Sequence, residues 1–272
     1  MRGFNLFKYP EELHKDGNLI LNTYSLQRSG QHLVLDWIGR GLDGKSAHFN
    51  HCRFHRKGVS FSFVPVAGRV IIYNSGMREV DSGKQGKENV FGFSQEFSYR
   101  KEIYSMEDVD FNRLPYRTLN CIADKVVVIL RDPCNWLASS MKHGRSTQEK
   151  LVKKKEILKK YLRKFYSRRE DEKFIFIDYN KFVSSCEYRK DLFVKLSLDN
   201  FIEAEQAMND IPEFGGGSSF SGINSTITQE NVFERWLVYK NDKTFADILG
   251  DDELIFLAEK FFSVNYFDKI QR

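Results

Sequence analysis

The sequence predicts an α/β fold in which a central parallel sheet is covered by helices on both faces. Lys125–Leu130 (KVVVIL) is an unbroken β-branched run, the pattern of a strand buried on both sides. Asn18–Tyr24 (NLILNTY) and Lys173–Asp178 (KFIFID) read as short strands of the same kind. Helical stretches separate these strands, and alternation of strand and helix is the signature of parallel crossovers.

Taken in order, the first strand runs through SLQRSG into an apolar-periodic helix over His32–Leu42. Val59–Val66 and Arg69–Tyr73 read as strands separated by a Pro/Gly turn region, and Asn89–Gln95 (NVFGFSQ) as a further one. KVVVIL leads through RDP into a helix beginning near Cys134, with the proline at a favoured early position. A basic helix then precedes KFIFID. Helices dominate the C-terminal third, with Gln229–Asn241 and Asp251–Phe262 the clearest. No internal repeat, low-complexity tract or Pro/Ser-rich linker divides the chain, so residues 1–272 are expected to form a single domain.

Composition narrows the function classes. The 272 residues are 41% hydrophobic and 29% charged, which excludes a disordered polyelectrolyte. No apolar run approaches the ~18–20 residues of a membrane span. The first residues carry charges where a signal peptide needs its apolar stretch. Cys52, Cys121, Cys134 and Cys186 are scattered and form neither a disulfide framework nor a zinc pattern. A cytoplasmic protein, needing no metal and engaging neither membrane nor nucleic acid, is the expectation.

The net charge of +5 is concentrated. Glu149–Lys173 holds 11 Lys/Arg against 5 Asp/Glu, leaving 31 basic and 32 acidic residues elsewhere. This is one basic element on a neutral body. Leu151, Leu158, Leu162 and Phe165 recur at helical spacing, so most of these lysines read as the solvated face of an amphipathic helix, with steering of an anion secondary.

The first chemical signal is Leu26–Leu33 (LQRSGQHL), between the first strand and its helix. A glycine there permits a tight turn, and the N–H groups opening the helix then point at an anion. Arg28 adds fixed positive charge and Ser29 a hydroxyl. The GxxxxGK[ST] pattern of nucleotide kinases is absent. The second signal is RDPCNWLAS: Arg131 ends a buried strand, and Ser139 lies two turns into the next helix, able to face the same crevice. Together they can grip a second phosphate.

In type, order and spacing, QRSGQH and the Arg131–Ser139 pair resemble the PAPS-dependent sulfotransferases, where PAPS is 3′-phosphoadenosine 5′-phosphosulfate. The likeness is greater to small soluble microbial or cyanobacterial members than to vertebrate cytosolic ones. It implies a P-loop-like, three-layer fold of the sulfotransferase type, and transfer of a sulfuryl group from PAPS to a hydroxyl or amine of a small acceptor. Arg28 would touch the sulfuryl group and bridging oxygen. Ser29, Gly30, Gln31 and His32 would cradle the 5′-phosphosulfate, and Arg131 with Ser139 would hold the 3′-phosphate. In IDYNKF, Tyr179 would lie near the adenine, with Asn180 where the family usually has an acid.

Departures from the familiar pattern leave parts to be replaced. Leu33 stands where many members have tryptophan, and their closing RKGxxGDWK segment is missing. Phe214–Phe220 (FGGGSSF) can substitute through Ser218, Ser219 and Phe220, or serve only as a surface loop. The family's base is often a histidine at the end of the strand before the 3′-phosphate strand. Reading that strand as NVFGFSQ makes the base Glu96, with His51 of the cluster His48, His51 and His55 as runner-up. The acceptor stays open; a guanidinium alkaloid of secondary metabolism is one possibility. Two other functions remain: a P-loop-type small-molecule kinase, and a non-enzymatic protein binding anions or nucleic acid through the basic helix 149–173.

Overall fold

The computed structural model describes residues 19–42, 46–50, 52–57, 60–65, 69–73, 80–81, 101–144, 146–167, 172–208 and 233–264. Its strands are β1 (Leu19–Ser25), β2 (Ser46–Phe49), β3 (Cys52–Lys57), β4 (Ser60–Pro65), β5 (Arg69–Tyr73), β6 (Val80–Asp81), β7 (Lys101–Glu107), β8 (Lys125–Leu130) and β9 (Phe174–Asp178). Its α-helices are α1 (Gln31–Gly41), α2 (Leu114–Ile122), α3 (Pro133–His143), α4 (Gln148–Ser167), α5 (Tyr179–Ser184), α6 (Cys186–Lys195), α7 (Phe201–Gln206), α8 (Lys243–Leu249) and α9 (Asp252–Phe262).

The main sheet has the order β6-β5-β2-β7-β1-β8-β9. β2, β7, β1, β8 and β9 run parallel, while β5 and β6 extend the β2 edge antiparallel. β3 and β4 form a separate antiparallel pair. Leu21 sits opposite Ile103 on one side and Lys125 on the other, so β1 lies between β7 and β8. The chain reaches β7 on one flank of β1 and then crosses to β8 on the other. The crevice at the carboxyl ends of such strands is where open α/β sheets bind ligands.

Alternation along the strands builds the two helical layers. Leu21, Ile103, Val127, Ile129 and Ile177 face α1, α5 and α6, meeting Val34, Trp37, Phe182 and Leu192. Ile20, Tyr24, Met106, Val126 and Val128 face the other layer, meeting Trp136, Leu158, Tyr161 and Ile255. Burial of each such side chain contributes about 1.5–3 kcal/mol. Phe111 stacks on Tyr161 at 4.9 Å, tying the segment after β7 to α4.

Several expected elements are revised. Of Gln229–Asn241, residues 229–232 lie outside the described residues, Phe233 is helical, and Arg235–Tyr239 forms a 3₁₀ helix. The basic helix is described over Gln148–Ser167, with 168–171 outside the described residues, and the first strand is described over Leu19–Ser25, reaching one residue beyond Tyr24. Asn89–Gln95 lies outside the described residues. β2 and β7 were not foreseen, because polar residues interrupt their apolar pattern. Glu102 of β7 is buried, with the Tyr104 hydroxyl donating to its carboxylate; burial pushes that carboxyl up from its ordinary value.

The basic helix pairs many of its cations with carboxylates of the same fold. Lys155 and Lys159 reach Asp251 at 3.1 and 2.9 Å, Lys160 reaches Asp110 at 2.6 Å, and Arg163 grips Glu253 with two bonds of 2.6 Å. These side chains therefore lock α4 to α9 and to the segment after β7.

Candidate active site

The site grows from the turn after β1. Arg28 has φ 74° and Gly30 φ 84°, two left-handed residues flanking Ser29. Ser29 N donates to Leu26 O at 3.1 Å, closing the turn. Glycine adopts this conformation at no steric cost, whereas Arg28 is held in it by its surroundings. α3, α5, α6, α7, α8 and α9 start on side-chain caps from Asp132, Asp178, Ser185, Asn200, Asp242 and Asp251. α1 starts on Gly30 with no side-chain cap and no acid in its first turn. Ser29 Oγ is buried and meets no hydrogen-bond partner among the described residues. A helix start left open beside a buried hydroxyl donor suits an anion.

Three arginines converge beside this turn. Arg131, at the carboxyl end of β8, is buried and donates from Nη1 to Arg28 O at 3.3 Å. Its guanidinium lies 5.4 Å from the Tyr179 ring centroid. Burial pulls its pKa down, with Tyr179 and Asp132 acting in the opposite direction. The third is Arg235. Burial first, then the Arg131 charge, push its guanidinium down to about 10; Tyr179 opposes that and Arg28 adds to it. Arginines this mutually repelled and desolvated favour a multiply charged anion.

Tyr179 completes the turn's roof. Asp178 caps α5 by accepting from Asn180 N at 2.9 Å and Lys181 N at 3.3 Å, and burial pushes its carboxyl up to about 6. The next residue, Tyr179, lays its ring against Gly30 so closely that a Cβ there would overlap it. Ser139 is buried two turns into α3.

The carboxylate side lies across β1. Glu107 ends β7, is buried, and accepts from Gln31 Nε2; Gln31 Oε1 in turn accepts from Ser25 Oγ. His32 Nε2 stands 4.0 Å from Glu107 Oε1. The loop 26–30 is thus flanked by cations at the β8 end and by a carboxylate at the β7 end. Such a pairing can hold a polyanion while a base acts on its neighbour.

The structure brings together Arg28, Ser29, Gly30, Gln31, His32, Arg131 and Tyr179. Glu96, His51, Ser218, Ser219 and Phe220 lie outside the described residues. The strand that precedes β8 in the chain is Lys101–Glu107, so the carboxylate at its end is Glu107. Sequence reasoning missed both Glu107 and Arg235. The Met106–Glu107–Asp108 step after KEIYS carried a readable signal, acids at a strand end. Arg235 carried none, since Asn135 places it: Asn135 Nδ2 donates to Phe233 O at 2.8 Å and its Oδ1 accepts from Trp236 N at 3.3 Å.

These features can be set against known proteins. No family model matches the chain, and no curated protein matches it in sequence. Solved structures match in shape, two sulfotransferases among them. The sulfotransferase domain of the Synechococcus PCC 7002 olefin synthase is 16% identical with a TM-score of 0.58, over 93% of this chain and 97% of that one. Mouse sulfotransferase SULT7A1, solved in complex with PAP, is 16% identical with a TM-score of 0.50, over 89% of this chain and 85% of that one. The fold is the sulfotransferase fold. In this sulfotransferase fold the described helices include none long and apolar enough to cross a membrane. No group of three or more His, Cys, Asp or Glu is placed to hold a metal among the described residues.

Beneath the site, His48 of β2 is fully buried, its Nε2 2.9 Å from Ser105 Oγ. Burial, then the neighbouring His32, push its pKa down to about 3. Between the unfolded value near ~6.5 and that figure, the unfolded chain takes a proton the folded chain refuses. Its contribution to stability is complete above that upper value and falls with pH by about 1.4 kcal/mol per unit. Urea unfolding at pH 7 and pH 5 should show His48→Gln losing less stability on acidification than the parent. Equal losses in both proteins would contradict this.

Proposed function

We propose that the protein transfers a sulfuryl group from PAPS to a hydroxyl or amine of a small acceptor. The observation that carries this reading is the convergence of Arg28, Arg131 and Arg235 on the Gly30–Tyr179 contact, with Glu107 on the other flank of the same turn. A nucleotide with phosphates at both 3′ and 5′ positions matches a site with two separate sources of positive charge. PAP accompanies the mouse structure of the same fold, which supports the choice of nucleotide.

In this reading the open start of α1, with Ser29, takes the 5′-phosphosulfate, and Arg131 with Arg235 takes the 3′-phosphate. Arg235 supplies charge that the missing RKGxxGDWK segment supplies elsewhere. Ser139 would join Arg131. As the acceptor oxygen or nitrogen bonds to sulfur, the bond from sulfur to the phosphate oxygen breaks. Arg28 stabilises the charge gathering on that oxygen, and Glu107 takes the acceptor's proton. Because many cations of the basic helix pair within the fold, nucleic-acid binding by that helix draws no support.

Calorimetric titration with PAP tests the reading. The parent protein should bind PAP without a metal, and Arg131→Ala should weaken binding by roughly 1.5–3 kcal/mol, the scale of a charge-assisted contact. Affinity for adenosine 5′-phosphosulfate, which lacks the 3′-phosphate, should barely change. Equal losses for the two ligands would remove Arg131 from the 3′ site, and no PAP binding by the parent would reject the function.

A further inference from the structure

The basic helix has a member whose contacts lead to the anion turn. Lys154 is buried, an uncommon state for a lysine, and its ammonium is shared between two acceptors. It lies 2.9 Å from Asp108 Oδ2 and 3.0 Å from Gln27 Oε1. Asp108 Oδ1 accepts from Gln27 N at 3.0 Å, which closes a ring through Lys154, Asp108 and Gln27. Asp108 N donates to Ser25 O at 3.0 Å, so the ring is anchored to the end of β1. Trp136 Nε1 adds a bond to Gln27 O at 3.2 Å.

We propose that Lys154 is a positioning residue: acting through Asp108 and Gln27, it holds the Gln27–Arg28 backbone in the left-handed turn and thereby aims the Arg28 guanidinium. A non-glycine residue at φ 74°, as Arg28 is, carries backbone strain and persists only where its neighbours over-determine it. The neighbour that fixes Arg28 is Gln27, itself held at its N–H, its carbonyl and its side chain. Asp108 follows Glu107, so the same ring also ties the carboxylate-bearing end of β7 to the turn. Lys154 touches no reacting group; its effect on turnover passes through Arg28 and rests on the sulfuryl-transfer reading.

The test separates the two. Amide hydrogen exchange on the ligand-free protein reads the turn without any nucleotide. In Lys154→Met, which keeps the apolar stem, the Gln27 and Ser29 amides should exchange about tenfold faster or more, while Val127 and Ile129 in β8 keep their protection. Lys154→Arg should restore slow exchange. Asp108→Asn, which keeps an acceptor for Gln27 N but removes the charge facing Lys154, should accelerate the same two amides. In turnover, Lys154→Met should lower kcat about tenfold while PAP affinity changes less than about threefold, since misaiming a group costs rate more than binding. Unchanged exchange at Gln27 and Ser29, or equal acceleration in β8, would overturn the role. A parent protein that binds no PAP would overturn the sulfuryl-transfer reading and leave the exchange result to decide the role of Lys154.

Discussion

Replacing Glu107 by glutamine is expected to lower kcat by about 10²-fold or more, the scale on which a general base acts. The amide is nearly isosteric, and its oxygen can still accept from Gln31 Nε2, so the end of β7 should keep its shape. On the proposed function PAP binding should persist, because the arginines proposed to hold the 3′-phosphate, Arg131 and Arg235, do not depend on the Glu107 charge. Steady-state turnover together with calorimetry on one preparation reads both quantities. Glu96→Gln and His51→Ala belong in the same series. Near-parental turnover in Glu107→Gln beside an inactive Glu96 or His51 variant would return the base to the positions chosen from sequence.

The second large effect is expected at Gly30. Its φ of 84° is a conformation that L side chains rarely adopt, and an added Cβ would overlap the Tyr179 ring. Gly30→Ala therefore forces both the turn and the tyrosine to move, and PAP affinity should fall about tenfold or more, with left-handed strain alone costing ~1–2 kcal/mol. Gly30→Ala combined with Tyr179→Ala relieves the overlap but not the strain. The double variant should thus lose less than the two single losses combined. Strict additivity would mean that the ring and the turn are independent, contrary to their contact.

How far the site could be read from sequence depended on where its information resides. Arg28, Ser29 and Gly30 follow directly on a strand of unmistakable pattern, and Arg131 ends KVVVIL, so local order was enough to put them at one sheet edge. Glu107 was hidden by its own strand. Lys101, Glu102, Ser105 and Glu107 make KEIYSME look like a surface segment, yet Tyr104 donates to Glu102 and Gln31 donates to Glu107 inside the fold. Periodicity registers hydrophobicity, not distant partners. Arg235 was illegible for a related reason: a single asparagine far back in the chain, Asn135, fixes the backbone on both sides of it. The lysines of α4 have the spacing of a solvated face, and only the carboxylates of Asp108, Asp110, Asp251 and Glu253 reveal that several face inward.

The contact of Tyr179 with Gly30 has a bearing on biosynthesis. One half of the candidate site is translated early and waits for partners from β7, from β8, from the start of α5 and finally from the turn containing Arg235. Contacts this remote along the chain form slowly, since every loop must close before it is rewarded. A nascent polypeptide still tethered at the ribosome before Arg235 has emerged lacks the complete arginine cluster, so on the proposed function PAP would meet no finished site on it. Ligand stabilisation, which needs a folded binding state, is available only to the finished chain.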